Sequence, residues 1–127
     1  MDEERGHLLV VDDNEMNRDL LSRRLTRRGH SVDTAEGGLQ ALDRIAAESF
    51  DVVLLDIMMP GIDGWETLTR LKRDPETANI PVIIFTAREH TRGHQKSAEM
   101  GAADYFRKPF EPDELIELVE KHVAQRA

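Results

Sequence analysis

Val52-Val53-Leu54-Leu55-Asp56 is an unbroken aliphatic run that ends on an acid. A strand with one wet face alternates apolar and polar residues. Four large aliphatics in a row instead belong to a strand covered on both faces, as in a parallel sheet flanked by helices. Two other stretches have the same form: Leu8-Leu9-Val10-Val11 ends on Asp12-Asp13, and Val82-Ile83-Ile84-Phe85 ends on Thr86. Working outward from these, strands are predicted over residues 7–11, 31–35, 51–55, 81–85 and 104–106. In the second, Val32 and Thr34 alternate with Asp33, the pattern of a sheet edge.

Helical spacing fills the intervals. Met16, Leu20, Leu21 and Leu25 form one stripe, closed by Gly29 as the residue just past the helix end. Leu39, Leu42, Ile45 and Ala46 form a second, and Trp65, Leu68 and Leu71 a third. The last helix opens with Pro112, Asp113 and Glu114. It turns Leu115, Leu118, Val119 and Val123 inward and Glu114, Glu117 and Glu120 outward. Residues 88–99 carry Ala98 as their sole apolar side chain and Gly93 in mid-segment, so little burial holds that helix. Strict alternation with right-handed crossovers gives an α/β, flavodoxin-like, doubly wound five-stranded parallel sheet with five helices. The common strand order is 2-1-3-4-5, with its switch point between the first and third strands.

Composition narrows the function. With 127 residues, the chain is expected to be one domain, its core running over about residues 6–124. Cysteine is absent, which removes disulfides and thiol chemistry. The acidic start is unlike a signal peptide, and no apolar run reaches the roughly 20 residues of a membrane span. A cytoplasmic protein with no membrane contact is the expectation. Seventeen basic against twenty-five acidic residues give a net charge of −8, which disfavours nucleic acid as a partner. The basic group Arg23, Arg24, Arg27 and Arg28 reads as a solvated helix face or a docking surface for an acidic partner. His90 and His94 stand four apart, a zinc-compatible spacing, but no third ligand is evident, so they read as solvent-facing.

The switch point is where such sheets bind ligands, and Asp12, Asp13 and Asp56 fall there, with Lys108 at the end of the last strand. Converging carboxylates repel one another unless a cation joins them. Few, hard oxygen donors with room for water suit Mg²⁺. Asp13 and Asp56 are assigned as direct ligands, Asp12 as a ligand through water, and the Met58 backbone carbonyl as a third protein oxygen. Asp56 can then attack phosphorus, since a carboxylate forms an acyl phosphate when metal and lysine neutralise the developing charge. Thr86 can hydrogen-bond a phosphoryl oxygen.

Val10-Val11-Asp12-Asp13-Asn14, the stretch Leu54-Leu55-Asp56-Ile57-Met58-Met59-Pro60-Gly61-Ile62-Asp63-Gly64, Phe85-Thr86-Ala87 and Lys108-Pro109-Phe110 resemble, in order and over nearly the whole chain, the receiver domain of two-component response regulators. The resemblance implies that Asp56 accepts a phosphoryl group from a histidine kinase or histidine phosphotransfer protein. It implies that Asp12 and Asp13 hold Mg²⁺, that Lys108 contacts the phosphoryl group, and that Lys108-Pro109 is a cis bond. Thr86 and Tyr105 would form the switch, passing the signal to a downstream protein through the face of helix 4, strand 5 and helix 5. Met58 and Arg88, two residues beyond Asp56 and Thr86, would tune phosphoryl loss, and Met58 offers no polar group to orient water. A donor helix would dock near Met16, Asn17 and Pro109. The domain would act as a monomer or a phosphorylation-dependent dimer. Leu118 stands where winged-helix regulators carry a dimerising arginine, which argues against that dimer mode.

Two other readings share parts of this pattern. A flavodoxin-type cofactor carrier needs a phosphate loop rich in backbone N–H donors, and Asp12-Asp13-Asn14-Glu15 would repel a phosphate. A Mg-dependent aspartyl-phosphate hydrolase of the haloacid dehalogenase type wants a second Asp two residues after the nucleophile, and Met58 stands there. The chain is therefore expected not to be an enzyme beyond its own phosphotransfer and dephosphorylation.

Overall fold

The computed structural model describes residues 6–87, 93–108 and 111–126. Five parallel strands, β1 (His7–Val11), β2 (Ser31–Ala35), β3 (Val52–Asp56), β4 (Val82–Ala87) and β5 (Asp104–Lys108), lie in the order β2-β1-β3-β4-β5. Between and after them run α1 (Glu15–Arg27), α2 (Gly38–Ala47), α3 (Gly64–Arg73), α4 (Gly93–Glu99) and α5 (Pro112–Arg126). This is the doubly wound order expected from the sequence.

The aliphatic runs are unbroken because successive side chains feed two separate cores. Leu8, Val10, Val52, Leu54, Ile83 and Phe85 pack with Leu21 and Leu25 of α1 and Leu115, Ile116, Val119 and Val123 of α5. Leu9, Val11, Val53, Leu55, Val82 and Ile84 face the other way, onto Ala41 and Ile45 of α2 and Leu68 and Leu71 of α3. All five residues of β3 are buried. Burying one such aliphatic side chain stabilises by about 1.5–3 kcal/mol, so both faces must be covered for this strand to persist.

Several boundaries and faces differ from the sequence reading. β3 and β4 start one residue later and run further, and β5 continues to Lys108, because the parallel ladder is carried on by pairing of Asp56 with Phe85 and Ala87 with Lys108. In α1 only Leu21 and Leu25 are buried, while Met16 is 80% exposed and Leu20 also faces out. The residue pairs 16/20 and 21/25 both have helical spacing, but one face touches the sheet. Likewise Ala41 and Ile45, not Leu39 and Ala46, anchor α2, and Ile116 is more deeply buried than Leu118. Among the described residues of α4, Ser97 is buried and Ala98 is exposed. Gly29, with φ of 97°, does end α1, as expected of a left-handed capping position.

Two of the arginines in and just after α1 find acidic partners on α5. Arg28 donates twice to Glu120 of α5, at 2.6 and 3.1 Å, and Arg24 reaches Asp113 at 3.4 Å. Glu120 is thus not simply outward. His30, 4% exposed, accepts from the Gly6 amide through Nδ1 and so presents Nε2–H to Glu120 at 3.0 Å. Burial opposes ionisation of Glu120, but the bonds from His30 and Arg28 outweigh it and hold its carboxyl below the ordinary value of 4.5. Its contribution to stability is therefore present above pH 4.5 and lost as pH falls through the lowered folded value. Glu120→Gln is expected to lower stability at neutral pH by about 1 kcal/mol, a modest loss because Arg28 is half exposed. It should also flatten the fall in urea midpoint below pH 4.5; an unchanged slope would discount this network.

Candidate functional site

β1 and β3 are neighbours whose following helices leave on opposite faces, so a crevice opens at their carboxyl ends. Asp12 follows β1 directly, Asp13 comes next, and Asp56 is the last residue of β3. Each offers a carboxylate oxygen, and these oxygens lie within 4.8 Å of one another. Asp12 and Asp56 are buried, at 0% and 3% exposure, while Asp13 faces solvent. Residues more than forty positions apart in sequence are thus joined by topology alone.

Local bonds fix Asp12. Asn14 caps α1, its side chain accepting from the Asn17 amide at 3.0 Å, which starts the helix immediately after Asp13. The Asp12 carboxylate accepts from the Asn14 amide at 2.9 Å and from Asn17 Nδ2 at 3.1 Å, and Arg18 donates to the Asp12 carbonyl at 2.7 Å. Asn17 and Arg18 are thus positioning residues, a role the sequence reading gave to neither, since it placed Asn17 only in the docking of a donor helix. Their signal was present only as the first turn of a capped helix that points back toward its own N-terminus.

The loop after Asp56 is folded back by α3. Asp63 caps that helix, accepting from the Glu66 amide at 2.9 Å, and Gly64 donates its amide to the Ile57 carbonyl at 2.9 Å. A Cβ on Gly64 would meet Ile57 Cα at 2.7 Å and the Asp56 carbonyl oxygen closer still, so only glycine permits this approach. Gly61, with φ of 80°, makes the turn between them. The Met58 side chain is exposed, and Met59 turns inward. Trp65, 9% exposed, lies in the first turn of α3, and Lys96 Nζ of α4 stands 4.7 Å over its ring.

On the next strands, Thr86 lies one residue past the partner of Asp56, and Lys108 ends β5 opposite Ala87. Their backbones are therefore on the same rim as the acids. The side chains of Thr86, Lys108 and His94 lie outside the described residues, as do Arg88, His90 and Pro109. Tyr105 is half-buried against the core that α2 and α3 cover, as Met100 and Ala102 are, with its hydroxyl oxygen enclosed rather than in water.

The donor set fits a hard divalent cation: three carboxylates, two enclosed and one open to solvent, converge with no nitrogen or sulfur among them. A doubly wound sheet with such an acid triad at its switch point has the form of a metal-assisted phosphoryl site. Residues 8–120 match the response regulator receiver domain family, and the chain belongs to it. It is a phosphoacceptor signalling domain of two-component phosphorelays.

Among similar proteins, Sporulation initiation phosphotransferase F of Bacillus subtilis (strain 168) is 43% identical over 116 residues, covering 91% of this chain and 92% of that protein. Response regulator PleD of Caulobacter vibrioides (strain NA1000 / CB15N) is 42% identical over 106 residues, which cover 84% of this chain but 23% of PleD. The chain spans about half or less of the first of its curated relatives, 49% in the case of the transcriptional regulatory protein YkoG of B. subtilis (strain 168). The receiver domain of Francisella response regulator 1452 superposes with a TM-score of 0.89 at 31% identity, covering 96% of this chain and 99% of that one. Among the described residues no helix is long and apolar enough to cross a membrane.

Proposed function

We propose that Asp56 is the phosphoacceptor, taking its phosphoryl group from a phosphohistidine on a histidine kinase or histidine phosphotransfer protein. The observation that carries this reading is the meeting of Asp12, Asp13 and Asp56 within 4.8 Å at the carboxyl rim of the sheet. A carboxylate oxygen of Asp56 attacks phosphorus in line with the departing imidazole. The new O–P bond forms as the N–P bond breaks, and the freed imidazole nitrogen takes up a proton.

Asp12, Asp13, Asp56 and the Met58 carbonyl would hold Mg²⁺, which supplies the positive charge that lets an anionic phosphoryl group approach an acidic site. Asn14 and Asn17 keep Asp12 turned into that site. The placement of Lys108 and Thr86 at the ends of β5 and β4 suits them to the phosphoryl oxygens. Movement of Thr86 toward those oxygens would vacate space for Tyr105 to turn further in, biasing a two-state equilibrium. The face of α4, β5 and α5 would then meet a downstream protein. We read residues 1–127 as one such unit.

Intact mass after treatment with acetyl phosphate and Mg²⁺ tests this function. The chain is expected to gain one phosphoryl unit, and to gain none when the metal is chelated. No gain with metal present would defeat the proposal. Met58 offers no group to orient an attacking water, so Met58→Asn is expected to speed loss of the phosphoryl group, by up to about tenfold. An unchanged decay rate would remove Met58 from that role.

A further inference from the structure

We infer that His7, Asp33 and Glu48 form a second cation site, of zinc type, at the opposite rim of the sheet from the acid triad. His7 opens β1, Asp33 is the middle residue of β2, and Glu48 follows α2. Five residue steps of about 3.3 Å separate His7 from Asp12, so the two sites stand roughly 16 Å apart along β1. His7 Nε2 is 3.0 Å from Asp33 Oδ2 and 3.6 Å from Glu48 Oε1. One ligand atom from each of the three lies within 4.8 Å of the others.

The imidazole is held from outside the cluster. Its Nδ1 is 2.7 Å from the Ser49 carbonyl oxygen, and its ring lies against Phe50 with centroids 4.3 Å apart. A carbonyl can only accept, so Nδ1 carries the hydrogen and Nε2 is turned toward two carboxylates. A nitrogen facing two acceptors must itself carry a second proton or share a metal ion with them. An Nδ1–H anchored on a backbone carbonyl is also the arrangement that orients metal-ligating histidines.

The spacing suits the second possibility. Ligands about 2.0–2.2 Å from a tetrahedral zinc ion stand roughly 3.3–3.6 Å apart. The Glu48 oxygen is already at that separation from Nε2, and the Asp33 oxygen, at 3.0 Å, would need to move out by a few tenths of an ångström. One imidazole with two carboxylates favours zinc over Mg²⁺, which prefers oxygen alone. The three side chains are each about one-third exposed, so an ion can enter without opening the core and water can complete its shell. Arg44 leans on the same carboxylates, 3.0 Å from Glu48 and 3.6 Å from Asp33, but from an exposed, long side chain that can swing aside. Its competition keeps the affinity moderate. A bound ion would tie together β1, the edge strand β2 and the end of α2.

Calorimetric titration of the full chain with ZnCl₂, with excess Mg²⁺ occupying the acid triad, tests the site. One ion per chain is expected to bind and to raise Tm, and Co²⁺ in its place should show visible absorption of a nitrogen–oxygen site. His7→Gln and Asp33→Asn should each weaken zinc binding by at least about tenfold, whereas Asp13→Asn should leave it unchanged. Two variants guard against one failing to fold, which circular dichroism reports. Absence of zinc heat in the wild type would overturn the inference and leave an imidazolium ion pair. Undiminished binding in both variants would also overturn it, as would loss of binding in Asp13→Asn.

Discussion

Asp56→Asn is expected to abolish phosphoryl uptake from acetyl phosphate and Mg²⁺ while leaving the fold intact. The amide has the shape of the carboxylate but lacks its anionic oxygen nucleophile, and it is a poorer donor to a hard cation. The loss should exceed about a thousandfold in rate, or about 4 kcal/mol of transition-state stabilisation. The site is 3% exposed and ends a strand buried along its whole length, so an isosteric change disturbs no packing. A circular dichroism spectrum matching wild type would assign the loss to chemistry. If the variant still gained one phosphoryl unit at a comparable rate, the acceptor would be another carboxylate, and peptide mapping would find it at Asp12 or Asp13.

Gly64→Ala is expected to give the next largest change, through a single methyl group. The added carbon would press on the Asp56 carbonyl oxygen and on Ile57 Cα at 2.7 Å, which are backbone atoms and cannot rotate away. Either α3 lifts, breaking the 2.9 Å bond from the Gly64 amide to Ile57, or the loop bearing Met58 shifts. The cost is about 3 kcal/mol. The urea midpoint should fall, and phosphorylation should slow because the carbonyl of Met58 moves with the loop. Gly61→Ala is the control: space around it is open, so only its positive φ is penalised, by about 1 kcal/mol. Equal midpoints for Gly64→Ala and wild type would show that the close approach is not required.

The parts of this molecule that were legible in sequence are those set by local pattern and by sheet topology. The run at β3 could be read because burial on both faces leaves no room for alternation. The triad of Asp12, Asp13 and Asp56 could be read because strand ends converge at a switch point whatever the side chains are. The faces of α1 and α2 were less legible. Met16 and Leu20 have the same spacing as Leu21 and Leu25, and only the position of the sheet decides between them. The need for glycine at position 64 lies in a tertiary approach, and the grouping of His7, Asp33 and Glu48 draws on three elements with no shared motif. The pairing of Arg28 and His30 with Glu120 likewise exists only once α1 and α5 share one face.

Stiffness is unevenly distributed in this chain. β3 is clamped from both sides along its whole length, whereas the described part of α4 buries only Ser97, leans on β5, and reaches α3 by way of Lys96 over Trp65. A charge added at the tip of β3 would meet a strand packed on both faces, with no free volume beside it to yield into. Were Asp56 phosphorylated as proposed, the relief would fall to the flank of α4, whose described part buries a single side chain.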